Sequence, residues 1–332
     1  MNFADLIFSS GSSFSEKAAK VFNYQKDKNP VYQRFCNALG VTGATSPDAM
    51  PLLPIQAFKE TTIITNPDEE QGSKESSLIF KSSGTSGMRR SCHYVPDPEL
   101  YKQSILKGMR HFYELDDFVI WAYAPTYSEN PNSSLIWMLN TLIDNDASGQ
   151  SKFLALDTPL DKKELTAIQQ SDKRMMLFGA AFGLLDLLEQ QKTSLPDDSL
   201  LMETGGMKTH RREMSRQDLH RQLAEGFGLS KASIHSEYGM TELLSQAYSL
   251  GDEWFHTVPW MQVSIRNPDN PMEQMPPGEE GLIGIIDLAN IHSCSFLLTG
   301  DKGIRREDGA FQVLGRWNPQ DLRGCNFLIE RD

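Results

Sequence analysis

The segment of this sequence best suited to hold an anion is Ser82-Ser83-Gly84-Thr85-Ser86-Gly87. Glycines and small hydroxyl residues let successive backbone N–H groups converge on one point, and the hydroxyls add donors. Met88-Arg89-Arg90 places positive charge directly behind it. The loop lacks the Gly-Lys-Ser/Thr ending of a Walker A motif. It is not a Gly-x-Ser-x-Gly nucleophile elbow either, because Met88 stands two residues after Ser86. Taken alone, the segment reads equally well as a flexible Ser/Gly turn. Further along come Thr204-Gly205-Gly206, Tyr238-Gly239-Met240-Thr241-Glu242, Pro277-Gly278-Glu279-Glu280-Gly281, Thr299-Gly300-Asp301 and Gly315-Arg316. Singly, Tyr238 could be a core aromatic, Glu242 an acid at a helix start and Asp301 a turn residue. In this order they point to a nucleotide site.

Such residues need a scaffold, and the hydrophobic pattern supplies one. Strand-like runs (Leu78–Phe80, Phe118–Ala124, Met175–Phe178, Leu200–Met202 and one beginning at Ile234) alternate with helical patterns. The helices fall behind Asp97-Pro98, where the spacing Tyr101, Ile105, Met109, Phe112 is helical, and over Leu135–Ile143, Asp161–Gln169, Phe182–Leu188 and Ser215–Leu223. Alternation of this kind predicts an α/β fold, mostly parallel sheet flanked by helices. After about residue 250 the character changes to short strands between strong turn signals such as Asn267-Pro268-Asp269-Asn270-Pro271. The expected organisation is an α/β body over residues 1–250 and a smaller β-rich, barrel-like unit with the tail over 251–332, packed as one compact domain.

Composition narrows the function. The chain has 332 residues with 32 Lys+Arg against 44 Asp+Glu, a net charge of −12. That balance argues against a nucleic-acid partner, which asks for basic surface. No stretch reaches the ~18 apolar residues of a membrane span, and the N-terminus lacks the basic and apolar regions of a signal peptide. Cys36, Cys92, Cys294 and Cys325 are scattered, with no CxxC pair. Reduced thiols in a cytoplasm are the expectation, rather than disulfides or a zinc site. In so acidic a chain a phosphate site must be built locally, from backbone donors and a few basic side chains.

The ordered motifs from Ser82 to Gly324 resemble those of the adenylate-forming superfamily, which includes acyl-CoA synthetases, firefly-type luciferases and peptide-synthetase adenylation domains. Pro54-Ile55-Gln56-Ala57-Phe58-Lys59-Glu60, Ala124-Pro125-Thr126-Tyr127-Ser128 and the short length are most similar to the acyl-protein synthetases of bacterial bioluminescence, the long-chain-fatty-acid–luciferin-component ligases. The resemblance implies the large N-terminal domain of such an enzyme, with the mobile C-terminal domain absent or vestigial. It implies ATP-dependent conversion of a carboxylic acid, fatty acyl or aryl, to an acyl-adenylate, then transfer to a thiol and hand-over to an acyl reductase or other acceptor protein.

By the same resemblance, Ser82, Ser83, Gly84, Thr85, Ser86 and Gly87 hold the β- and γ-phosphates of ATP, with Arg89 in support. Tyr238 packs on the adenine, and Gly205 and Gly206 admit the base. Thr241 bonds the α-phosphate, Glu242 ligates Mg²⁺, and Asp301 takes the ribose hydroxyls with Arg316 nearby. Cys325, seven residues before Asp332, is the implied acyl carrier, since a thiolate attacks a mixed anhydride and yields a thioester. The plain alternative for any free cysteine is a small buried apolar side chain. Cys92 is the second candidate carrier, and Cys36 and Cys294 read as packing. His235 reads as structural rather than as a base.

Two departures from larger relatives stand out. The hinge position carries Asn318, followed by Pro319, where Asp is common. No residue matches the adenylation lysine of the mobile domain, so either adenylation proceeds without it, or Lys81, Arg89, Lys208 or a partner substitutes, or the activity is lost. Two other functions fit the same motifs. One is an acyl- or aryl-CoA ligase of the phenylacetate type, with Lys208, Arg211 and Arg212 facing the coenzyme. The other is a catalytically impaired nucleotide-binding scaffold in an acyl-transfer complex.

Overall fold

The computed structural model of the chain describes residues 2–67, 77–82, 89–156, 158–191, 193–205 and 214–317. Three helices come first: α1 (Phe3–Phe8), α2 (Phe14–Lys28) and α3 (Pro30–Ala38). Ser13 and Glu16 form a reciprocal capping box at the start of α2. Asn29 ends α2 and caps α3, whose first residue is Pro30. Gln25 and Asn29 then donate to the carbonyls of Ile291 and Ser293, at 2.8 and 2.6 Å, tying these helices to a distant loop.

The middle of the chain is an α/β unit. Its strands are β4 (Phe118–Tyr123), β5 (Lys152–Phe153), β6 (Arg174–Ala180), β7 (Leu200–Thr204) and β8 (Ile234–Tyr238). They pair in parallel in the order β5-β4-β6-β7-β8. Every residue of β4 is buried, as expected for a parallel strand covered on both faces. Because side chains alternate, Ile120, Met176, Phe178 and Met202 enter one core, and Trp121, Met175, Leu177 and Leu201 enter another.

Helices cover each core. The first receives α5 (Pro98–Phe112) and α6 (Ser134–Asp144), which follow the short α4 (Ala57–Glu60) in the chain. The second receives α7 (Lys162–Gln169), α8 (Ala181–Gln190) and α9 (Arg216–Phe227). Asp97 caps α5 with Pro98 at the first position, as its sequence predicts. Gly228 ends α9 at φ 71°. Gly228→Ala is expected to cost about 1–2 kcal/mol in urea unfolding, because a Cβ is disfavoured in left-handed backbone. Its Cβ would also stand 3.0 Å from the Ser194 hydroxyl.

The change of character near residue 250 is a change of strand direction. Strand β9 (Ala247–Ser249) pairs antiparallel with β8, and β10 (Phe255–Thr257) antiparallel with β9. Strands β14 (Phe311–Arg316), β13 (Phe296–Arg305), β12 (Gly281–Asp287) and β11 (Met261–Arg266) extend the same sheet by antiparallel pairing. Strand β1 (Leu53–Pro54) adds to β13 in parallel. A separate two-stranded sheet joins β2 (Leu78–Lys81) to β3 (Cys92–Val95). Among the described residues, no helix is long and apolar enough to cross a membrane.

Candidate active site

The chemistry-bearing segments that are described gather where the parallel strands end and the antiparallel ones begin. Strand β7 ends at Thr204 and β8 at Tyr238, and these two strands are neighbours. Gly205 leaves β7 at φ 78°, backbone that a side chain disfavours, and no described residue lies within 4 Å of where its Cβ would be.

Asp301 lies inside β13 rather than in a turn, opposite Arg316 on β14. It accepts a hydrogen bond from the Tyr238 hydroxyl at 2.9 Å and pairs with Arg316 Nε at 3.0 Å. Its backbone N–H donates to the Thr299 hydroxyl at 3.1 Å. The Asp301 side chain is 9% exposed and that of Arg316 62%. The pair thus joins a buried carboxylate to a cation open to solvent. The Tyr238 ring packs against Phe255 and Phe311, and burial beside Asp301 raises its phenol well above the ordinary range.

Thr241 and Glu242 are held by their backbones. The carbonyl of Thr241 accepts from His93 Nδ1 at 2.7 Å, and that of Glu242 from Asn290 Nδ2 at 2.7 Å. Beyond them, Asp287 accepts from the N–H groups of Leu244, Ser245 and Ala289 and from the Ser245 hydroxyl. Burial lifts the Asp287 carboxyl to about 6 against those four donors. Through those four bonds it fixes the chain that leaves the Tyr238–Glu242 segment. No cluster of three His, Cys, Asp or Glu forms among the described residues. A single carboxylate suits Mg²⁺, which completes its shell with water and phosphate oxygens. Glu242 fits that role by chemistry.

The feet of the Ser/Gly loop are closed on each other. Ser82 N–H donates to the Ser91 carbonyl at 3.1 Å, and Ser91 N–H to the Ser82 hydroxyl at 3.0 Å. Arg89 pairs with Glu60 at 2.9 Å, and both side chains are more than half exposed. Ser83, Gly84, Thr85, Ser86 and Gly87 lie outside the described residues, as do Gly206, Lys208, Arg211, Arg212, Asn318, Pro319 and Cys325.

Several groups carry no local sequence signal. Glu237 faces the first core beside Thr204, whose hydroxyl donates to it. Burial pushes its carboxyl to about 7, with the Glu203 carboxylate adding to the rise. Glu203 accepts from the Ser236 hydroxyl on the other face, where His220 also approaches. The Glu237 carboxylate packs under Gly239, where a Cβ would stand 2.4 Å from Oε1. His235, at the far end of β8, accepts from the Tyr113 hydroxyl at 2.9 Å and donates to the Ala232 carbonyl at 3.2 Å. Both ring nitrogens are engaged and burial lowers its pKa to about 4, so it is a structural histidine. Cys36 and Cys294 are buried free thiols, and Cys92 is a half-buried one.

Solved structures share this fold. A 2-hydroxyisobutyryl-CoA ligase in its postadenylation state aligns with a TM-score of 0.63 at 15% identity, over 91% of this chain and 67% of that one. ATP-bound MatB from Rhodopseudomonas palustris aligns with a TM-score of 0.51 at 16% identity, over 72% of this chain and 47% of its own. The fold is that of adenylate-forming enzymes. The chain belongs to the LuxE acyl-protein synthetase family, which matches residues 14–332. A long-chain-fatty-acid–luciferin-component ligase of Vibrio harveyi is 25% identical over 92% of this chain and 84% of its own length. The human mitochondrial acyl-coenzyme A synthetase ACSM2A is 26% identical over 75% of this chain. The chain spans 44% of that enzyme's length.

Proposed function

We propose that this protein activates a carboxylic acid, of the long-chain fatty class, with ATP and passes the acyl group to a thiol. A carboxylate oxygen of the acid attacks the α-phosphorus, the bond to the β-phosphate oxygen breaks, and pyrophosphate leaves. A thiolate then attacks the acyl carbon of the adenylate and AMP departs. Two anions meet in the first step, so alignment and charge neutralisation dominate its rate.

The observation that carries this reading is the Tyr238–Asp301–Arg316 constellation, which joins strands β8, β13 and β14. A buried carboxylate has acceptor capacity left for two ribose hydroxyls. Tyr238 is the adenine platform, and Gly205 and Gly206 admit the base. Thr241 bonds the α-phosphate, and Ser82 to Gly87 with Arg89 take the β- and γ-phosphates. Glu242 holds Mg²⁺, which neutralises phosphate charge when bound. The phosphate, adenine and Mg²⁺ residues belong to the body, residues 1–250, while Asp301 and Arg316 come from the β-rich residues 251–332. Cys325 is the acyl carrier, for hand-over to an acceptor protein in the cytoplasm, where its thiol stays reduced.

The test is acid-dependent exchange of labelled pyrophosphate into ATP, with formation of a hydroxylamine-labile acyl-protein from labelled acid. Cys325→Ser is expected to keep the exchange and lose the acyl-protein. Labelling that survives the substitution refutes the carrier assignment. Acyl-CoA formed by that variant with free coenzyme A identifies a CoA ligase instead. Nucleotide binding without exchange, for every acid, identifies a scaffold.

A further inference from the structure

We infer that His93 is a positioning residue that joins the Ser82–Ser91 closure to the Thr241–Glu242 segment and sets the geometry of adenylation. The inference rests on the acid-activation reading above. Strand β3 begins immediately after the Ser82–Ser91 closure. Two residues past Ser91, about 7 Å along an extended strand, the His93 ring reaches the Thr241 carbonyl at 2.7 Å. A carbonyl only accepts, so Nδ1 carries the proton and the ring is fixed in that tautomer. Phe58, on α4, packs edge-on at 5.5 Å and holds the ring in plane.

The second ring nitrogen sharpens the argument. His93 is fully buried, and among the described residues neither its Nε2 nor Asn290 Oδ1 has a hydrogen-bond partner. The Asn290 side chain lies beside the ring, and one N–H of its amide donates to the Glu242 carbonyl. In the tautomer that Thr241 imposes, Nε2 and Asn290 Oδ1 are both acceptors, so they do not bond each other. An unpaired buried acceptor costs stability, which an apolar ring at this position would avoid. What the imidazole supplies in return is one donor aimed at one carbonyl. With Asn290 on the next carbonyl, neither the Thr241 nor the Glu242 peptide is free to rotate. A shift of the loop feet is transmitted through a single strand to both residues.

The experiment compares His93→Asn, His93→Gln and His93→Phe in ATP–pyrophosphate exchange, using tetradecanoate, benzoate and phenylacetate as acids. Asparagine puts an amide N–H where Nδ1 was, glutamine puts it near Nε2, and phenylalanine removes it. His93→Phe and His93→Gln are expected to lower the exchange kcat about 30-fold, within what a 1 Å misplacement costs. KM for the acid should change less than about threefold, the mark of an interaction expressed in the transition state. His93→Asn should stay within about threefold of the wild-type rate. Thermal midpoints of all four proteins are measured alongside, since a purely structural role would make the rate follow stability. Equal rates for the asparagine and glutamine variants, or a phenylalanine variant as fast as wild type, would overturn the inference while leaving acid activation standing. A wild-type protein inactive with all three acids would overturn both.

Discussion

Asp301→Ala is expected to weaken ATP binding about 100-fold, read as Kd by calorimetric titration. Asp301 is the buried partner of both the Tyr238 hydroxyl and Arg316. Two charge-assisted bonds to the ribose, at about 1.5 kcal/mol each, correspond to that factor, since about 1.4 kcal/mol is tenfold. The substitution also leaves the buried Tyr238 hydroxyl without its acceptor, so stability must be followed in the same samples. Asp301→Asn separates the two effects. It preserves shape and one acceptor oxygen but gives up the charge that Arg316 neutralises. An asparagine variant that folds like wild type and binds ATP at least 30-fold more weakly supports direct contact with nucleotide. A change under threefold in both variants would make Asp301 a structural clamp, and the ribose assignment would fail.

The second large effect concerns pH. Glu237 keeps its proton in the folded state up to about pH 7, against an ordinary value of 4.5, chiefly because burial penalises the charge. Between those values the folded state binds a proton that the unfolded chain has released. Stability therefore falls as pH rises through this window, and the loss is complete above about 7. The expected size is about 3 kcal/mol. Glu237→Gln keeps an acceptor for the Thr204 hydroxyl and removes the ionisation. Urea unfolding at pH 5 and pH 8 should show the variant gaining about 3 kcal/mol on wild type at the higher pH. Parallel pH profiles would mean that Glu237 ionises normally. Below pH 7 the mostly protonated carboxyl also leaves little negative charge beneath Gly239.

How far the site was legible depends on the kind of signal each residue carries. The Asp97-Pro98 cap, the apolar run of β4 and the turn at Gly205 are local, and sequence alone locates them. Asp301 was legible only as one member of an ordered series, since a turn was its simplest solitary reading. The structure places it mid-strand because β13 runs on through Gly300 to Arg305. Glu237, Asp287, Asn290 and His93 gave no warning, because each matters through a partner remote in the chain. His93 and Thr241 are 148 residues apart.

The sequence by itself determined the alternation of elements, the acidic balance and the order of the motifs, and with them the family. Those properties are periodic or local, so they survive being read along one dimension. Tertiary structure decided which faces the alternating side chains of β7 and β8 present. It decided that the antiparallel strands continue the same sheet, and which carboxylates lose their water. Burial and through-space contact set those outcomes. A residue's solvation, and hence whether Glu237 is neutral or Asp301 is paired, is fixed only when distant segments close around it.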